Sequence, residues 1–265
     1  MRIPTAIHEQ NSIPGLTNRL LCRFVDRVFI SFEESGDHFP GGHLFLTGNP
    51  IRENLLQGRR TSVQPNGRFT LLVMGGSQGA KSINRTFVVA WKILREKGME
   101  IEVIHQTGET DYPFVAGEYA GKNLPVTLSS FIQDMGEAYN QADLVICRAG
   151  ATTVSELAAL GKPSILIPYP FAANNHQEKN ADVLVRAGGA VKILEGDLEG
   201  EDLAARIMGY LEDRPLLAEM GRRAATVGRR EAVHRIVDQL EDMINKKRGE
   251  RSFNPHNSKD RVAPE

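Results

Sequence analysis

Two stretches of this chain run from an apolar segment through glycine and small residues into a helical pattern. They are Val73-Met74-Gly75-Gly76-Ser77-Gln78-Gly79-Ala80 and Val145-Ile146-Cys147-Arg148-Ala149-Gly150-Ala151-Thr152-Thr153-Val154-Ser155-Glu156. Around them the pattern alternates. Strand-like runs cover 69–74, 101–105, 126–128, 144–147, 164–168 and 190–194. Helical runs cover 80–96, 132–140, 152–160 and 175–187, with a short helical stretch before 126. Strands separated by helices of this length specify a parallel sheet covered on both faces. The two junctions then follow the first and fourth strands of a doubly wound sheet. Those strands lie side by side where the strand order reverses, and the crevice at their carboxyl ends is where such folds bind nucleotides.

Bulk properties narrow the class without choosing a function. With 265 residues the chain has ample core for one large domain or two small ones. A net charge of −1 gives no electrostatic reason to expect a nucleic-acid partner. The apolar runs are strand-length, too short to cross a bilayer, and the start Met1-Arg2-Ile3-Pro4-Thr5 carries no secretory core. Cys22 and Cys147 sit in apolar contexts and read as reduced core thiols. No Cys/His cluster has metal-ligand spacing, so neither a metal nor a cofactor is expected.

The ends differ from the middle. Residues 1–50 carry strand-like runs at 3–8, 27–31 and 44–47 and a helical run at 16–25. That is too little for a self-sufficient α/β domain, and it reads as the tail end of a domain whose beginning is absent. Residues 51–247 form the complete unit, closing with helical runs at 201–211, 215–225 and 231–245. Residues 248–265 cannot bury enough apolar surface to order and are expected to be a disordered tail.

Each candidate motif has two readings. Gly75 to Ser82 nearly matches a P-loop, but its sixth position is Ala80 and no later strand ends in a magnesium-binding aspartate. It reads as a phosphate-binding turn feeding a helix N-terminus, or as a tight turn with Ser77 as a helix cap. Thr153-Val154-Ser155-Glu156 fits a capping box; the alternative sets the Glu156 carboxylate against the two hydroxyls of a ribose. Asn174-Asn175-His176-Gln177-Glu178-Lys179-Asn180-Ala181 opens a helix after the fifth strand. It is either a solvated helix start or a set of groups for sugar hydroxyls. His8-Glu9-Gln10-Asn11 ends the first strand with four polar side chains and looks like a site rather than a turn. No D-x-D occurs, the usual cue for a metal-held sugar diphosphate.

Together these stretches resemble the MurG-type UDP-GlcNAc transferases of bacterial peptidoglycan synthesis. The matching segments are Ile7 to Asn11 with Pro14 to Asn18, Thr47 to Arg52, Gly75 to Ala80, Phe131 to Met135, Cys147 to Glu156, and His176-Gln177 with Asn180-Ala181. They run in family order over about residues 3–245. The resemblance implies a GT-B fold: one complete Rossmann-like domain plus the C-terminal remnant of a second. It implies that backbone groups at Ile132 pair with uracil and that Glu156 holds the ribose. Ser77 and Arg52 would serve the diphosphate, and Ala151, Thr152, Thr153, Gln177 and Asn11 the GlcNAc hydroxyls. The implied reaction is inverting transfer of GlcNAc from UDP to undecaprenyl-diphosphate-linked muramyl-pentapeptide, by a peripheral protein at the cytoplasmic face of the inner membrane.

Family members begin with a further block that carries a Gly-Gly-Thr-Gly-Gly-His loop and a membrane-docking surface. Neither is found in this sequence, so no catalytic base is assigned, and His8 is not given that role. Two other readings stay open: a non-catalytic UDP-GlcNAc-binding subunit needing a separate acceptor-binding chain, and a UDP-sugar epimerase of similar fold.

Overall fold

The computed structural model describes residues 3–41, 43–57, 68–76, 78–122 and 125–248. Ser77 lies outside these residues, and so do residues 249–265 of the tail expected at 248–265; Arg248 is the last residue of the final helix.

The first segment holds β1 (Ala6–Glu9), α1 (Leu16–Leu21), β2 (Arg27–Ile30) and β3 (Leu44–Leu46), paired as a parallel sheet of order β1-β2-β3. The helix expected over 16–25 stops at Leu21 because the chain must reverse to place β2 beside β1. Asp26 pins that reversal: its backbone N–H donates to the Thr5 carbonyl (2.9 Å), and its carboxylate accepts from the Thr5 N–H (2.9 Å). The core here is small, built on Cys22, Val28, Ile30, Phe39 and Leu44.

After α2 (Glu53–Gln57), six strands alternate with helices: β4 (Phe69–Met74), α3 (Lys81–Glu96), β5 (Ile101–Gln106), α4 (Tyr112–Tyr119), β6 (Val126–Ser129), α5 (Met135–Gln141), β7 (Leu144–Cys147), α6 (Ala151–Leu160), β8 (Ser164–Leu166), α7 (His176–Ala187) and β9 (Ala190–Lys192). All pairings are parallel and the order is β6-β5-β4-β7-β8-β9. The first and fourth strands of this sheet, β4 and β7, are therefore neighbours where the order reverses. Their register sets Met74 opposite Cys147, so both following loops start at the same height.

Burial on two faces explains the apolar strands. On β4, Phe69, Leu71 and Val73 pack against α3 through Ile83, Phe87, Trp91 and Leu94. The intervening Leu72 and Met74 face Val154, Leu157 and Leu184 on the other side. The α3 residues recur at one-face helical spacing, as a helix on a sheet requires. Both cysteines are buried free thiols, and burial pushes the Cys147 thiol up.

Two helix boundaries move for identifiable reasons. The helix expected from 132 begins at Met135, because the Asp134 carboxylate accepts from the Glu137 N–H (3.0 Å) and caps it. Ile132 is left in the preceding loop. The helix expected from 152 begins at Ala151, with Gly150 at its N-cap, and Gly161 in left-handed backbone ends it.

The chain finishes with α8 (Gly200–Glu212), α9 (Arg214–Thr226) and α10 (Ala232–Arg248). The last of these returns to the first sheet. Arg27 on β2 is buried and ion-paired with Asp242 of α10, and it also donates to Gln239. At the seam between the two sheets, a cavity of about 10 Å³ beside Phe32, Asn49 and Ser155 has room for one water and no larger ligand.

Asp242 also pairs with Lys246 on α10 (2.8 Å), so removing Arg27 leaves the carboxylate one cation rather than none. Arg27→Met is therefore expected to lower unfolding stability in urea by about 1–3 kcal/mol, the cost of a lost buried partner. Equal stabilities for Arg27→Met and the unaltered protein would show that α10 is held by other contacts.

Candidate active site

The loops after β4 and β7 open into one crevice. The first is the turn from Gly75 to Gly79, in which the Gly79 N–H donates to the Gly76 carbonyl (2.9 Å). Glycine is required where this turn meets the loop after β5. Gly79 and Gly108 both have φ +76°, and a Cβ on Gly79 would stand 1.9 Å from the Thr107 carbonyl oxygen. Ala80 is the N-cap of α3, and among the described residues no side chain caps this helix, whose first amides suit an anion. The P-loop likeness ends at Ser82, whose hydroxyl donates to Glu195 (2.9 Å) and accepts from Arg148 (3.2 Å). Arg148 also donates to the carbonyls of Ile167 and Pro168, forming a strut between α3 and the loops after β7 and β8.

A buried polar network fixes the turn from below. His105 lies between Tyr119 (Nδ1 to hydroxyl, 3.0 Å) and Asn84 (Nε2 to Oδ1, 3.1 Å), and Asn84 donates to the Thr107 carbonyl (2.9 Å). Burial pushes the His105 imidazole down to about 3, so it is neutral at physiological pH.

Gln106, buried at the end of β5, joins two loops. Its amide donates to the Gly76 carbonyl (2.9 Å), and its oxygen accepts from the Ile132 N–H (2.9 Å). Ile132 thus has its N–H already engaged by Gln106. Nothing in the sequence pattern marks Gln106.

Across the crevice, the first turn of α6 presents Ala151, Thr152 and Thr153, whose N–H groups have no carbonyl one turn back. Because the helix starts at Ala151, Thr153 is inside it and the Thr153–Glu156 capping box does not form. Glu156 instead points inward, buried to 7% exposure, and accepts from the Tyr139 hydroxyl of α5 (3.0 Å) through Oε2. Burial raises its carboxyl pKa, while the Tyr139 hydrogen bond and the Arg52 charge oppose the rise. Arg52 is exposed at the start of α2.

The first segment closes one side. Asn180 on α7 donates to the Asn11 side chain (3.1 Å) and to the Ala149 carbonyl (3.4 Å), and accepts from Ser12 N–H (2.9 Å) and hydroxyl (3.0 Å). Asn49 donates to Thr152 (3.3 Å). Asn11 and Thr152 are therefore brought to the same loop cluster as Ala151 and Thr153. Gln177, in the first turn of α7, accepts from the Tyr169 N–H (3.0 Å). It follows Asn174 and Asn175, both in left-handed backbone at φ 53°, a conformation asparagine tolerates better than most residues.

The polar run His8 to Asn11 is largely a folded loop. Glu9 is buried and accepts from the Asn11 N–H, the Gly15 N–H and the side chains of Asn11 and Asn18. His8 Nε2 lies 3.1 Å from the Gly48 carbonyl oxygen, and burial lowers its pKa. Among the described residues, no group of three His, Cys, Asp or Glu side chains could hold a metal ion. Nor is any helix among them long and apolar enough to cross a membrane.

Strand order and register define a doubly wound α/β protein in which the glycine turn and the start of α6 meet at the switch point of the sheet. Comparison with known proteins narrows this. Residues 70–236 match the glycosyltransferase family 28 C-terminal domain, and residues 1–30 the family 28 N-terminal domain. A transferase from Syntrophus aciditrophicus is 46% identical over 92% of this chain and 68% of its own length. One from Pelobacter propionicus is 41% identical over 90% and 69%. Among solved structures, MurG from Acinetobacter baumannii superposes with TM-score 0.75 at 33% identity, covering 91% of this chain and 68% of that one. The UDP-GlcNAc 2-epimerase of Neisseria meningitidis, at 14% identity and TM-score 0.65 over 91% and 70%, shares the fold alone. The chain belongs to the family of UDP-N-acetylglucosamine–N-acetylmuramyl-(pentapeptide) pyrophosphoryl-undecaprenol N-acetylglucosamine transferases.

The bridge at Gln106 yields a direct expectation. Gln106→Met keeps the volume but leaves the Ile132 N–H without its partner and the Gly76 carbonyl with the Gly79 N–H alone. It should weaken UDP binding, measured by calorimetry, by roughly tenfold or about 1.4 kcal/mol. An unchanged Kd would show that the two loops hold their positions without it.

Proposed function

We propose that this chain binds UDP-GlcNAc in the crevice between β4 and β7 and serves the inverting transfer of GlcNAc to a lipid-linked muramyl-pentapeptide acceptor. The observation that carries this reading is convergence: the glycine turn, the uncapped α6 amides and the buried Glu156 carboxylate surround one crevice in a member of this transferase family. Each suits one part of a nucleotide sugar. Glu156 offers a carboxylate oxygen to the ribose hydroxyls. The Ile132 backbone meets uracil. Ser77 and Arg52 serve the diphosphate, and Ala151, Thr152, Thr153, Gln177 and Asn11 the sugar.

In the proposed reaction the acceptor C4 oxygen bonds to the anomeric carbon as the bond from that carbon to the phosphate oxygen breaks. Its electron pair leaves with UDP, and the acceptor proton passes to a base. Negative charge therefore builds on the diphosphate, where the α3 and α6 amide termini and Arg52 favour it. The acceptor side would be met at the cytoplasmic membrane surface, where a lipid-linked sugar resides. A donor-binding chain that works with a separate acceptor-binding partner would use the same crevice.

Calorimetry with UDP-GlcNAc tests the reading, with Glu156→Ala beside the unaltered protein and UDP-glucose as control. The expected result is selective UDP-GlcNAc binding, weakened at least tenfold in the variant, which corresponds to about 1.4 kcal/mol or more. No binding to a folded chain would contradict the reading; equal binding of both sugars would remove the assignment of the sugar contacts.

A further inference from the structure

Tyr139 lies outside every motif of the sequence, yet it holds the residue on which ribose recognition depends. Its ring is buried on α5, and its hydroxyl donates to Glu156 Oε2 at 3.0 Å. That is the only protein hydrogen bond to the Glu156 carboxylate among the described residues, so Oε1 is left for a ligand. A carboxylate with one oxygen tied and one free is oriented rather than merely buried. Two vicinal hydroxyls on a ribose need such an acceptor held in one rotamer, because a freely turning side chain loses entropy on binding.

We infer that Tyr139 is a positioning residue for nucleotide recognition: its hydroxyl clamps one oxygen of Glu156 and aims the other at the ribose. This rests on the reading that Glu156 binds the ribose. The phenol makes no contact with the reacting atoms; it acts through the carboxylate. The groups that face Glu156 are Tyr139 on α5, Arg52 ahead of α2 and Cys147 at the end of β7. Tyr139 and Cys147 are both pushed up by burial and stay protonated at neutral pH. Arg52 remains in place when Tyr139 is changed, so the effect of the hydroxyl can be isolated.

The sign of the pH dependence follows. A ribose-binding carboxylate must be ionised, so affinity falls as pH drops through the Glu156 pKa. Burial already raises that pKa and the Tyr139 hydrogen bond restrains it. Removing the hydroxyl lets it rise further, and affinity is then lost starting from a higher pH.

The test is the Kd of UDP across pH for the unaltered chain, Tyr139→Phe and Glu156→Gln, with 2′,3′-dideoxyuridine diphosphate as the probe lacking the hydroxyls. Tyr139→Phe should move the midpoint of affinity loss upward by about one pH unit, a tenfold weaker Kd below both midpoints. Above both midpoints a residual loss should remain, because the ionised carboxylate is no longer held in one rotamer, and the dideoxy probe should bind the variant and the unaltered protein alike. An equal loss for the dideoxy probe, or no loss for UDP, overturns the inference. If Glu156→Gln leaves UDP binding intact, the ribose reading itself fails; if Glu156→Gln weakens binding while the Tyr139→Phe profile does not shift, only the positioning role fails. Should Tyr139→Phe not fold, NMR of the Tyr139 hydroxyl proton decides. A resonance that persists in the UDP complex and moves as Glu156 titrates supports the clamp, and one that vanishes on binding overturns it.

Discussion

The pairing of β4 with β7 is the contact from which the rest of this molecule takes its shape. Leu71 to Met74 lie in register with Leu144 to Cys147, so the two loops that follow emerge at the same level of the sheet. Because β5 and β6 extend one way from β4, and β8 and β9 the other way from β7, no crossover helix covers the gap between those loops. The crevice is a consequence of strand order. What the side chains add is polarity. The starts of α3 and α6, which no side chain caps among the described residues, present amide donors, and Glu156 sits just over one turn below the α6 terminus.

The second constraint is the attachment of the small β1-β2-β3 sheet. Its core is modest, and polar contacts across the seam carry specificity: Asn180 to Asn11 and Ser12, Asn49 to Thr152, and Arg27 to α10. Buried amides bonded in this way cost several kcal/mol if left unpaired, so they define one mutual arrangement. Asn180 is the most economical of them, since one side chain touches Asn11, Ser12 and the Ala149 carbonyl that precedes α6. The chain's last helix completes the join by crossing back to β2.

Much of this was legible in the sequence, for physical reasons. The alternation of apolar runs with helices dictated the parallel sheet, and the glycines at 75 and 79 marked a close backbone approach, with Gly76 needed for its positive φ. Glu156 was ambiguous, because a capping box and a ribose-binding carboxylate look alike locally. The start of α6 at Ala151 removes the first option. Gln106 and Tyr139 were not legible: their partners lie 17 to 30 residues away, and such bonds leave no periodic trace. Asn180 stood in the run read for sugar hydroxyls, but its side chain bonds Asn11 and Ser12. Within the run His8 to Asn11, Glu9 spends its carboxylate on folding its own loop, which the sequence could not tell from a ligand contact.

The central claim is that the switch-point crevice holds a uridine diphosphate sugar. A crystal structure of the chain with UDP-GlcNAc tests it most directly. The account predicts the diphosphate between the Gly75–Gly79 turn and the α6 terminus, with ribose hydroxyls within hydrogen-bonding distance of Glu156 and uracil beside Ile132. A nucleotide bound elsewhere on the molecule, or one in the crevice whose ribose leaves Glu156 untouched, would contradict it.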